Sequence, residues 1–133
     1  MSEFEQIIEI FETKYVDAST LPKELISLWA KLAIVDYERE VSSLNFDIQN
    51  EVFKNGISLT TMDVIANIMK LYYLEREFDR QNKKINIVGK DLSLNDTSNA
   101  KKMTLAELEY FKSKVNLLLD QAKMPAYGGE SNG

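Results

Sequence analysis

The residues best suited to chemistry are four glutamates, Glu38, Glu40, Glu75 and Glu77, set on segments that read as two long helices. Facing carboxylates on paired helices can hold a two-metal centre, but such sites also draw on Glu-x-x-His motifs. The chain has no histidine and no cysteine. That removes the commonest general base, the commonest transition-metal ligand and every thiolate. The glutamates then read as solvated helix faces. Asp91-Leu92-Ser93-Leu94-Asn95-Asp96 lacks the acidic spacing, central glycine and closing glutamate of a calcium loop. The five glycines are scattered, and none opens a helix after a strand to cradle a phosphate. No catalytic residue, metal ligand or cofactor is predicted, and the chain is expected not to be an enzyme.

Binding is the remaining class, and charge narrows it. Sixteen basic residues against 21 acidic ones give a net charge of −5, so approach to nucleic acid is opposed unless positive charge gathers on one face. The one net positive stretch, residues 84–103, carries Lys84, Lys90, Lys101 and Lys102 without interleaved aromatics, unlike a single-strand platform. Nucleic acid is an unfavoured partner. No apolar run approaches the length that spans a bilayer, and the N-terminus lacks the basic-then-apolar order of a secretory signal. A cytoplasmic protein without a membrane partner is the expectation.

The elements that must position any site are helical. At 133 residues the chain fits a single domain, expected over 1–124, with a flexible tail at 125–133. Ser2 and Glu5 form a capping box for a first helix over 3–15, which carries an apolar stripe and reads as a docked helix or an arm (1–16) for a neighbouring subunit. Apolar residues from Ile26 through Ala33, Val41, Leu44 and Ile48 to Val52 recur about every 3.7 residues, which predicts one central helix over 22–54, capped by Thr20. Leu25, Leu28, Trp29, Leu32, Ile34 and Val35 surround its first half, so that half should be covered on all sides. Asn55-Gly56 supplies a left-handed stop. Thr60 then caps a helix to 83, with Leu59 and Val64 as its staple, antiparallel to the central one. Thr104-Leu105-Ala106-Glu107 predicts a last helix over 104–123.

Residues 84–103 break this pattern and read as an insertion. Ile85, Ile87, Leu92 and Leu94 alternate with polar residues around Gly89, which predicts a small β-hairpin at about 84–95. With Lys90 they form the candidate partner-binding set, because an isolated hairpin has no core of its own. The predicted class is therefore mainly α: four helices on a long antiparallel hairpin, with a small β-hairpin inserted.

Surplus apolar surface on long helices, an insertion and a free tail suit a protein that binds other proteins. Over residues 20–125 the layout resembles the small helical proteins of tailed-phage particles, of the head–tail connector and neck type. That resemblance rests on size, the long helical pair, the insertion and the final helix, with no diagnostic motif. It implies a ring of subunits at a portal, with the insertion and termini reaching neighbours. The expected partners are proteins, including further copies of the chain. A small acidic chaperone or adaptor and a DNA-packaging or DNA-binding protein remain alternatives.

Overall fold

Ser2 starts the first helix as its residue type and spacing predict. Its hydroxyl accepts from the Glu5 amide at 3.1 Å, and the Glu5 carboxylate accepts from the Ser2 amide at 2.9 Å. In the computed structural model, residues 1–14, 21–88 and 93–124 are described, with backbone alone over 83–88 and 93–101. They form α1 (Glu3–Glu12), α2 (Lys23–Glu40), β1 (Phe46–Asp47), β2 (Val52–Phe53), α3 (Leu59–Val88) and α4 (Ser93–Lys123). The described residues are mainly α, with one small two-stranded antiparallel sheet among them.

The expected central helix over 22–54 is corrected: α2 stops at Glu40. Past Val41 the chain meets Ser42, Ser43 and Asn45, whose short polar side chains compete for backbone groups. The Glu38 carboxylate accepts from the Leu44 amide at 2.8 Å, which pulls the chain off the helix axis. Asn45 then takes a left-handed φ of 54°, a conformation asparagine tolerates better than most residues. Asp47 accepts from the amides of Gln49 and Asn50 at 3.1 and 3.2 Å and from the Asn50 side chain at 2.8 Å, building the turn between β1 and β2. Phe46 pairs with Phe53, and Asp47 with Val52. The β-hairpin therefore lies here rather than at 84–95.

Its core contact is aromatic. The Phe46 ring stacks on Phe4 of α1 at 5.8 Å and meets Phe53 at 4.6 Å. Gly56 follows at φ 70°, where a side chain would be strained and would stand 3.2 Å from a Glu3 carboxylate oxygen. That carboxylate accepts from the Ile57 amide at 2.8 Å and fixes the entry to α3.

Ser58, not Thr60, caps α3: its hydroxyl accepts from the Thr61 amide at 3.1 Å. Leu59 is exposed and so staples nothing. The helix that others pack on is α3. Met62 and all seven residues from Val64 to Lys70 are buried, a continuous girdle that only neighbours on every side can cover. The Asp36–Tyr72 contact and the Leu25-to-Asp79 groove place α2 antiparallel to α3, as predicted. Lys70 near Glu107 and Phe111, with Ile68 beside Val115, sets α4 antiparallel on another side. α1 contributes Phe4, Ile7 and Phe11 to the same core.

Helix also replaces the described parts of the predicted insertion, on either side of 89–92. Lys84 to Val88 complete α3, and α4 begins at Ser93, so Thr104 to Glu107 lie inside a helix rather than at its cap. Alternation over so few residues cannot separate strand from helix. An established helix extends at little cost into Asn82-Lys83-Lys84.

Trp29 is buried, its ring edge-on to Phe11 at 6.1 Å. Trp29→Ala should cost roughly 3–5 kcal/mol, the range for deleting a large core ring. Urea unfolding of the two proteins checks it.

Candidate functional site

Two places join polar chemistry to the packed helices. The first is Lys70, on α3 and 4% exposed. Its ammonium donates to the Lys14 carbonyl at 2.6 Å, lies 4.0 Å from the Glu107 carboxylate, and sits 5.0 and 5.7 Å from the ring centres of Tyr73 and Phe111. Burial pushes its pKa below the ordinary 10.5; Glu107 opposes that shift and Lys14 adds to it. A lowered lysine pKa can mark a nucleophile. Here the amine is buried, and its contacts join the segment after α1 to α3 and α4.

The second is the outer side of α2, where it meets α3. Leu25, Leu28, Leu32 and Val35 follow steps of three and four along α2. Leu28, Leu32 and Val35 are 51%, 47% and 37% exposed, so the full coverage expected for this half of α2 is not found. The stripe borders a groove of about 470 Å³ lined by Leu25, Trp29 and Leu32 of α2 and by Tyr72, Glu75, Arg76, Asp79 and Arg80 of α3. One wall is apolar, while the other alternates acid and base. Such a surface suits an amphipathic helix or strap from a partner better than a small substrate.

Tyr72 closes one end of this groove. Its hydroxyl donates to the Asp36 carboxylate, and Arg39 lies 3.4 Å from the same carboxylate group. Burial first, and then Asp36, raise the Tyr72 pKa well above its ordinary 10.0. Burial, followed by Glu77, raises that of Tyr73. A smaller cleft of about 320 Å³ between α1 and α2 is lined by Glu5, Glu12, Lys23 and Glu51 over Phe4, Ile8 and Ile26. No group of three acidic ligands forms a metal cage among the described residues, and no helix there is long and apolar enough to cross a membrane.

Of the residues nominated from sequence, three are described, by backbone alone. Ile85 and Ile87 fall in the last turns of α3, and Leu94 in the first turn of α4. Lys90 and Leu92 lie outside the described residues. The α2 stripe was visible in the sequence as surplus apolar circumference, yet nothing local revealed which side would stay open. No family model, no curated protein and no solved structure matches this chain.

The Tyr72 contact carries a signed pH prediction. A tyrosine whose folded pKa is raised adds stability that is present below the unfolded value of 10.0 and is lost as pH climbs through the folded one. Tyr72→Phe should cost about 1 kcal/mol near neutrality. That gap should narrow above pH 10.0, since only the wild type pays the growing ionisation difference. Urea unfolding at the two pH values, with a second comparison to Tyr73→Phe, measures it.

Proposed function

We propose that this protein is a non-enzymatic assembly protein that oligomerises and binds protein partners, in the manner of the small helical head–tail connector and neck proteins of tailed-phage particles. The observation that carries the reading is the α2 outer face. Leu28, Leu32 and Val35 stand in water in helical register, beside a groove walled by alternating charges. Ordered apolar exposure of this kind marks interaction surfaces. Lack of histidine and cysteine, and the burial of Lys70, support the same side of the argument. The phage comparison rests on size and on the helical layout, and it enters as the class of assembly that best accommodates such a chain.

The expected partner contact seats an apolar ridge against Leu28 and Leu32, with Arg76, Arg80, Glu75 and Asp79 setting its orientation. Light scattering of the purified protein should give a mass well above the 15.3 kDa of one chain. The double variant Leu28→Asp, Leu32→Asp should lower that mass. Its melting temperature should stay within a few degrees of wild type, because both leucines already face solvent. A mass indifferent to the substitution would remove α2 from the assembly contact.

A further inference from the structure

A different face carries a more specific partner. Along α4 and at the residue that follows it, Met103, Tyr110, Leu117 and Met124 are 74%, 62%, 58% and 69% exposed. They recur every seven residues, over a length of about 32 Å at the rise of an α-helix. The α4 residues that pack inward, Leu108, Val115 and Leu119, occupy other heptad positions on the far side. Large apolar side chains held in water at one heptad position supply one half of the a/d seam of a two-stranded coiled coil; the other half here is Ala106, Ser113 and Asp120.

We propose that α4 pairs in parallel and in register with α4 of a second copy of this chain. The occupant follows from charge. With the exposed stripe at position a, the flanking g and e positions hold Lys102 and Glu109, and Glu107 and Lys114. Parallel pairing brings each g residue beside the e residue five places on in the other strand. Lys102 then meets Glu107 of the second copy, and Glu109 meets Lys114, with both contacts repeated by the two-fold axis. An antiparallel pairing that matched Met103 to Met124 would set Lys114 against itself and Lys102 against Lys123. The d positions Ala106 and Ser113 are small enough for the two backbones to approach closely. Asp120, at the next d position, meets its own counterpart; the Lys123 ammonium 3.8 Å away offsets part of that repulsion. The seam is therefore tightest over 103–117.

The contact would bury on the order of 1,000 Å², at the low end for a specific interface, so a micromolar dimer is expected. It places the rest of each subunit, packed on the far side of α4, clear of the axis. This pairing rests on the assembly reading and adds to it a second interface, separate from α2.

Because the chain has no cysteine, single introduced cysteines report the register without background. Met103→Cys and Leu117→Cys should each give a disulfide-linked dimer under mild oxidation, while Lys112→Cys, pointing away from the seam, should not. An antiparallel pair would spare Met103→Cys, since the two copies of that residue would lie at opposite ends. Glu109→Lys or Lys114→Glu alone should weaken the dimer roughly tenfold in sedimentation equilibrium, and the two together should restore it. Positions five apart are not neighbours on one helix, so such rescue reads a contact between copies. The same measurements in the Leu28→Asp, Leu32→Asp background keep the two interfaces apart. Missing crosslinks or absent charge rescue in a protein whose mass still depends on α2 overturn the α4 pairing alone. Crosslinks with rescue in a protein whose mass ignores the α2 substitution overturn the α2 contact alone. A monomer at every concentration overturns both.

Discussion

The fold depends on how α3 is covered. From Val64 to Lys70 the helix has no solvent side, so it is stable only while α1, α2 and α4 are all in place. Lys70 makes that dependence chemical. A buried ammonium without partners would be very costly, and its partners include groups from two other parts of the chain: the Lys14 carbonyl following α1, and the Glu107 carboxylate and Phe111 ring of α4. Removing either helix takes away part of what holds the charge. Lys14 also meets Asp63 at 3.1 Å, so the first turn of α3 and the end of α1 are tied at the same corner. The corner couples the docking of α1 to that of α4, although the two helices are distant in sequence.

What could be read from the sequence follows the range of the interactions involved. The Ser2–Glu5 box is local, with both partners within three residues, and it forms as predicted. The α1 stripe and the burial of Trp29 need only a helix and a core, and both hold. The β-hairpin at 46–53 is different. Its stability comes from Phe46 lying between Phe4 and Phe53, and Phe4 is more than forty residues away. The apolar period ran on through Ile48 and Val52 and imitated a helix, yet both side chains are half exposed. A local signal was present: Asp47 followed by Asn50 is a turn-forming pair, and Ser42-Ser43 a weak helical stretch. The reverse error fell at 84–95, where alternation imitated strands in what is helix on either side of 89–92.

The same coverage constraint explains why the candidate surfaces were legible only in part. A helix carrying α1, α2 and α4 around it uses the inner face of each, and the outer faces of α2 and α4 are left over. The sequence shows that these helices carry more apolar residues than one seam requires. It does not show which of them the packing will claim, because that depends on the rotation of each helix against α3. On α2, Ile26, Ala30, Ala33 and Tyr37 turn inward, where two alanines let the backbones approach. The larger Leu28 and Leu32 are thereby directed out.

Apolar atoms cover more than half of most protein surfaces, so exposure alone argues little. Order is what separates these two faces from that background. Scattered exposed residues follow no helical period, whereas the α2 set advances by three and four and the α4 set by seven. Each such side chain left in water forgoes up to roughly 1.5–3 kcal/mol of burial, and helices of this length have many solvent positions where lysine or glutamate would serve better. On the proposed reading, a periodic stripe retained at that cost is a surface covered by a partner. The polar residues agree: charges flank both stripes and do not interrupt them, which leaves each apolar strip continuous along its helix.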